Sequence, residues 1–407
     1  MKTQTILWCW WYDRKDLVSP LFPIMNGLKN HFLFYRFKAQ EKLDFQLPGT
    51  IHYWTDYNSP YQILSRIQPD KVVFMGIENL LTVGLRSACR KLGIKTIYLS
   101  HGLTTSYENT VSNNKLGLSL IDERYSKYQH YYQKQKWRTL LFCLNAILKA
   151  SSLKEKIYIA KLVYVFSRFN NVHERLAKSK SEYRLADAYV VFTKHLARLL
   201  KERDGVEESR MIEIGPYSLD HLFKKLASPA NSDTLNNWGN YLLMIDQPLG
   251  KVSLEHQLLF WNNLANFTEK SNLKLVVKLH PSSYPKSNPI DHPNCIWVRD
   301  EEDISDLIYG ASGCFGYFSA LLLPIILFKP VILFNPTDQP LIDEWSGLGV
   351  VGLLPYPDFT FQDFKKVLNY FETNGSISSN MDLYIEKYIY KADGEGTARL
   401  RDVLLNQ

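Results

Sequence analysis

Short apolar runs and longer amphipathic stretches alternate along the chain. In the first half the runs are TILWCWW, HFLFYRF, TIHYWT, KVVFMGI, KTIYLS and AYVVFT at 188–193. Runs of this length, bounded by turn residues, read as strands covered on both faces. Between two of them, NLLTVGLRSACRKLGI reads as a helix closed by Gly93, the residue type that ends a helix in the left-handed conformation. A polar stretch, LASPANSDTLNNWGN at 226–240, then interrupts the pattern. It restarts with YLLMID, LKLVVKL, NCIWVRD, GCFGYFS and PVILFN, with helices expected to begin near Ser253, Glu302 and Ser319. Strand–helix alternation predicts an α/β chain of βαβ units with parallel sheets. At 407 residues the chain exceeds what one core organises, so two open α/β domains are expected. They are placed at 1–220 and 240–380, with a helical segment at 381–407.

One region breaks the alternation. From Arg124 to Arg184 the pattern is of long helices, with fourteen Lys/Arg against Glu155, Glu174 and Glu182. Aromatic and aliphatic residues interleave with the charges, as in KIYIAKLVYVFSRF. A basic helical insertion at about 124–184 is therefore expected in the first domain. It reads either as a solvated appendage or as a basic, aromatic-rich surface for anionic lipid headgroups or an anionic glycan. No nucleic-acid-binding module surrounds it, so nucleic acid is not expected as a partner.

Composition narrows the class. Hydrophobic content of 45% with 22% charged residues is that of a soluble globular protein. The 25 Tyr and 9 Trp suit stacking on sugars or bases, or seating at a membrane surface. Cys9, Cys89, Cys143, Cys295 and Cys314 show no CxxC spacing, which argues against a zinc site or disulfide framework and for a reducing compartment. The N-terminal run Ile6–Trp11 is too short for a secretory signal and reads as a first buried strand. SALLLPIILFKPVILF, with two prolines and a lysine, reads as a core helix and strand rather than a membrane span. A cytoplasmic protein is the expectation, peripheral at the inner face of the membrane if the insertion docks there.

Four constellations carry candidate chemistry. In IYLSHGLTTSYEN, residues 97–109, His101-Gly102 follows a strand end, where α/β sheets bind ligands. An imidazole there suits a general base, or is simply a turn histidine. Glu108 is an orienting partner or substitute base. YLLMIDQPLGK, residues 241–251, leads a strand into Gln247-Pro248 and a glycine, a loop with exposed amides or an ordinary strand exit. In LKLVVKLHPSSYP, residues 273–285, Pro281 forces the strand to turn and leaves His280 at its end. Lys278, His280, Ser282 and Ser283 can all donate hydrogen bonds to phosphate oxygens. In GASGCFGYFSALLLP, glycines 310, 313 and 316 lead to Ser319 and Ala320 at an expected helix start, where a phosphate would find a hydroxyl and backbone N–H groups.

In this order the motifs resemble a superfamily of bacterial surface-polysaccharide transferases: lipooligosaccharide sialyltransferases, capsule polysialyltransferases, capsule Kdo transferases and CDP-glycerol glycerophosphotransferases. Asp246-Gln247-Pro248 resembles their "GQP" exit, His280-Pro281 their "HP", and Ser319 with Lys329-Pro330-Val331 their serine motif and following strand. The His-Gly of LSHG resembles the "WHG" of teichoic-acid polymerases, and YIYKADGEGTARL their terminal "D-G" segment. The resemblance implies a GT-B fold, two Rossmann-like domains facing across a cleft, with the basic helical insertion in the first. It implies a base role for His101 and phosphate-ligand roles for His280 and Ser319. Only one serine stands at Phe318-Ser319-Ala320 where several relatives have two, a departure at the phosphate site; no aspartate of a "D-Y-S-S" motif precedes it, and that second departure favours a sugar transferase over a glycerophosphate transferase.

The expected activity is transfer of a sugar, favoured as a CMP-activated ulosonic acid such as a sialic-acid-like sugar or Kdo, from a nucleotide donor to a surface glycan or lipid-linked glycan. A CDP-dependent polyol-phosphate transferase and a non-catalytic nucleotide-sugar-binding assembly protein are the alternatives. The chain has no convincing DxD motif at a strand end, so neither a metal nor a cofactor is expected.

Overall fold

The structure is a computed structural model. It describes residues 3–10, 18–34, 45–77, 80–100, 136–168, 181–228, 239–247, 249, 252–280, 288–299, 304–336, 338–366 and 380–406. Two compact units are present, and their boundary falls after Ser218. The first also takes up Glu395–Gln407, so the expected terminal segment 381–407 divides between them.

In the first unit β1 (Thr5–Trp10), β2 (Lys29–Phe34) and β3 (Thr50–Tyr53) are followed by α1 (Pro60–Ile67), β4 (Lys71–Phe74), α2 (Leu80–Leu92) and β5 (Lys95–Leu99). Then come α3 (Lys136–Lys149), α4 (Leu153–Arg168), β6 (Ala188–Val191), α5 (Lys194–Asp204) and β7 (Met211–Glu213). The strands form one parallel sheet in the order β3-β2-β1-β4-β5-β6-β7. Sequence pattern located six of the seven; the three-residue edge strand β7 is too short to stand out. Gly93, at φ +68°, ends α2 as expected, with Ile94 N–H donating to the Cys89 carbonyl at 3.0 Å.

The described part of the insertion is no solvated appendage. Phe142 and Cys143 of α3 and Ile159 and Leu162 of α4 enter the same core as Leu81, Leu85 and Cys89 of α2. A capping arrangement starts α4: Glu155 N–H donates to Ser152 Oγ and the Glu155 carboxylate accepts from Ser151 N–H, both at 3.1 Å.

The second unit contains α6 (Asp220–Ala227), β8 (Tyr241–Ile245), α7 (Leu254–Lys270), β9 (Lys274–Lys278), β10 (Cys295–Val298), α8 (Ile304–Gly310) and β11 (Ala311–Gly316). It continues with α9 (Leu322–Phe328), β12 (Val331–Phe334), α10 (Pro340–Gly347) and β13 (Gly352–Leu354). Its parallel sheet runs β10-β9-β8-β11-β12-β13, the Rossmann strand order, and the direction of winding reverses between β8 and β11. One core, with Leu243, Val276, Leu323 and Trp345, lies on one face, and another, with Phe260, Trp261, Val277 and Phe334, on the other. The most apolar stretch of the chain becomes α9 and β12, both buried, as expected. Among the described residues no helix is long and apolar enough to cross a membrane. The chain returns to the first unit as α11 (Gly396–Asn406), whose Leu400 and Leu404 pack beside Ile6 and Trp8.

On the outer strands of the first sheet, His31 Nδ1 and His52 Nε2 share a hydrogen bond of 2.8 Å, and Tyr57 Oη lies 2.7 Å from His52 Nδ1. Burial, with His31 and Arg66 nearby and Asp56 opposing, pushes the His52 pKa from 6.5 down to about 4. In the unfolded chain this histidine takes up its proton near pH 6.5, so stability should fall as pH drops from 6.5 towards about 4. Thermal melts across that window should show the loss in the wild type and a flatter profile in His52→Gln. Identical profiles would exclude this pair as the source of acid lability.

Candidate functional site

Three neighbouring strands of the second sheet end at one level. Ile245 of β8 pairs with Lys278 of β9 on one side and with Gly316 of β11 on the other. Gln247, His280 and Ser319 therefore follow adjacent strand ends, at the crevice where the winding reverses. Open α/β sheets bind their ligands at that crevice.

Asp246, which is 6% exposed, fastens two of these exits together. Its N–H donates to the Lys278 carbonyl at 3.0 Å, and its Oδ2 accepts from His280 N–H at 3.3 Å. Leu279 N–H donates to the Val298 carbonyl at 2.9 Å and its side chain enters the core, so the backbone is held up to the residue before His280. Asp246 is a positioning residue that the sequence pattern placed in a motif without marking it as functional. Its partner is 34 residues away, and only the sheet register brings them together. Lys278, half-buried, is the last residue of β9.

After β11 the chain turns sharply. A Cβ on Gly316 would stand 3.0 Å from Leu322 Cδ1 and 3.2 Å from Cδ2, so the small residue lets α9 fold back close over the strand end. Tyr317 packs into the Phe260 core, while Phe318 stacks on Trp345 on the other face at a ring distance of 5.9 Å. These two anchors leave Ser319 and Ala320 half-buried at the edge. Ser319 Oγ accepts from Leu321 N–H at 3.3 Å, and the Ser319 and Ala320 carbonyls accept from Leu322 and Leu323 N–H at 3.1 Å. The helix begins at Leu322, three residues later than expected, so Ser319 closes a turn rather than capping the helix. That bond uses the hydroxyl as an acceptor only and not its proton.

The other two glycines of this run have no ligand-facing position. Gly310 ends α8 at the opposite end of β11, where a Cβ would stand 2.5 Å from Tyr241 Oη, and Gly313 lies inside β11. Lys329 is structural: its Nζ donates to the Tyr309 and Ala311 carbonyls at 2.9 and 3.0 Å.

In the first unit β5 leads into buried Ser100, whose N–H donates to the Val190 carbonyl at 3.0 Å. His101 and Glu108 follow and lie outside the described residues, as do Pro248, Pro281, Ser282 and Ser283. Among the described residues no cluster of three His, Cys, Asp or Glu could hold a metal ion.

The family model of alpha-2,8-polysialyltransferases (POLYST) matches residues 38–288, more than half of the chain and a segment that takes in β3 through the His280 exit. The chain belongs to this family. It is a glycosyltransferase acting on bacterial surface glycans. No curated protein sequence matches it significantly. Among solved structures, the glycosyltransferase of kitacinnamycin aligns over 100% of this chain and 99% of its own at 12% identity, with a TM-score of 0.55. The Methanocaldococcus jannaschii UDP-GlcNAc 2-epimerase, solved with UDP-GlcNAc and UDP, covers 100% of both chains at 12% identity and TM-score 0.53. The Neisseria meningitidis UDP-GlcNAc 2-epimerase bound to UDP-GlcNAc covers 99% of this chain and 100% of its own at 12% and 0.51. These likenesses are of fold: two Rossmann-like domains of the GT-B type.

Asp246→Ala removes the carboxylate that accepts from His280 N–H. It should cost about 1–3 kcal/mol of stability and weaken nucleotide binding, even though the lost carboxylate would itself repel phosphate. Denaturant titration and calorimetry check both parts. Tighter nucleotide binding in the variant would mean that Asp246 repels the ligand rather than holding His280 for it.

Proposed function

We propose that this polysialyltransferase-family enzyme transfers a CMP-activated ulosonic acid, a sialic-acid-like sugar or Kdo, to the hydroxyl of a glycan or lipid-linked glycan in the cytoplasm. The observation that carries the reading is the convergence of Gln247, His280 and Gly316–Ser319 at the winding reversal of a Rossmann-order sheet. Family membership and the donor-like motifs at those positions support the choice of donor.

In the proposed reaction the first domain supplies the base and the second holds the leaving group. His101, in its neutral form, takes the proton of the acceptor hydroxyl as that oxygen bonds to the anomeric carbon. The bond from that carbon to the phosphate oxygen breaks, and its electron pair leaves with CMP. His280, Ser319 and the residues next to the HP step, Lys278, Ser282 and Ser283, donate hydrogen bonds to the phosphate as its charge grows. Ala320 belongs to the turn after β11, Gly316 lets that turn approach the ligand, and Pro281 is assigned by sequence to the same donor site as His280. Glu108 orients His101 or stands in for it. Donors of this kind stabilise a phosphomonoester leaving group without a divalent ion, and metal-independent turnover is part of the proposal.

Thermal-shift titration with CMP, CDP, UDP and GDP tests the donor, because a ligand that binds only the folded state raises the melting midpoint with its occupancy. CMP should give the largest shift. A larger shift with CDP would favour a polyol-phosphate donor, and one with UDP or GDP would overturn the ulosonic-acid reading.

The division of labour between domains is tested by two variants. His280→Ala should weaken nucleotide binding by about 1.5–3 kcal/mol, the range for a hydrogen bond to a charged group. His101→Ala should lower turnover by about 10²–10⁴-fold and leave donor affinity nearly unchanged. Full turnover in His101→Ala would move the base elsewhere, with Glu108 the next residue to replace.

A further inference from the structure

The α3–α4 hairpin has two apolar faces, and only one is covered. The inner face, with Phe142, Cys143, Ile159 and Leu162, is core. On the opposite side of α3, Trp137, Leu141, Leu144 and Leu148 recur one turn apart and are 78%, 58%, 43% and 73% exposed. On the outer side of α4, Leu153, Ile157 and Tyr164 are exposed in the same rhythm. Because both inner faces pack against the α2 core, both outer stripes point away from it. Seven large apolar side chains in water on one hairpin are far more than single scattered hydrophobics, and a patch of this kind marks a surface that meets a partner.

The charges say which partner. Residues 136–168 contain seven Lys/Arg and one acid, Glu155, and that acid is buried and spent on the α4 cap. Lys149, Lys154 and Lys161 are exposed beside the apolar stripes. An apolar face with an aromatic residue on each helix and an unopposed basic rim is the composition of a helix pair lying in the plane of a membrane interface. We propose that the outer face of the α3–α4 hairpin docks this enzyme in-plane on an anionic lipid bilayer. Trp137, Leu141, Leu144, Leu148, Leu153 and Ile157 enter the headgroup–acyl boundary, and the lysines contact anionic headgroups.

Co-sedimentation of the full chain with vesicles tests this. The wild type should bind phosphatidylglycerol-containing vesicles, bind pure phosphatidylcholine vesicles far more weakly, and release with salt. Lys154→Gln and Lys161→Gln should each weaken binding about fivefold. Combined Trp137→Ser, Leu141→Ser and Leu148→Ser should weaken it at least tenfold. These side chains face water, so circular dichroism and the melting midpoint should match the wild type and separate lost docking from lost fold. Equal binding to neutral and anionic vesicles, or serine variants that bind as the wild type does, would overturn the proposal. So would self-association in sedimentation velocity that the serine variants abolish and vesicles leave intact, since the stripe would then be an interface between copies. The readout is vesicle binding, so a failed donor assignment would leave this result unchanged.

Discussion

In the second sheet Ile245, Lys278 and Gly316 stand side by side at the ends of three parallel strands, and Gln247, His280 and Ser319 take their places from this register. Parallel strands feed their next loops out at the same edge, so residues more than thirty positions apart in sequence leave the sheet together. The winding reversal between β8 and β11 opens a gap there, because the connections on either side run to opposite faces. Asp246 then fixes the height of one exit against another through two hydrogen bonds, one donated by its N–H and one accepted by its carboxylate. Without the register, His280-Pro281 is an ordinary strand end. With it, Lys278, His280 and Ser319 stand at or just beyond neighbouring strand ends.

The strands were legible because strands covered on both faces carry apolar side chains on both faces. KVVF and YLLMI are buried throughout and read as unbroken runs. β7 and β13 escaped because three residues at a sheet edge carry too little pattern. The start of α9 lies later than the pattern predicts for a different reason. The aromatic residues Tyr317 and Phe318 pin the chain to opposite cores before the helix can begin, and those cores form only in the fold. The glycine run misled in the same way: Gly310 is required by the Tyr241 ring, a long-range neighbour, and has no ligand-facing role.

The hairpin shows the limit from the other side. Its charge excess is plain in the sequence, but its apolar residues occur around both helices, so no periodicity separates core from surface. Packing on α2 chooses one side, and what remains is an amphipathic surface of its own. The proposed function is thus distributed over separate features: a candidate donor crevice at one sheet edge, a base expected at the end of β5, and a surface made from what the insertion does not bury. Family membership fixes the class of reaction, while the donor assignment rests on chemistry at the crevice.

Hydrogen–deuterium exchange with and without CMP tests the donor crevice most directly. Slowed exchange is expected in three stretches at once, after β8, β9 and β11 at residues 246–251, 279–284 and 316–321, with the strands leading into them unchanged. Protection confined to the first sheet, or to one of the three exits alone, would contradict a phosphate held where those strands end together.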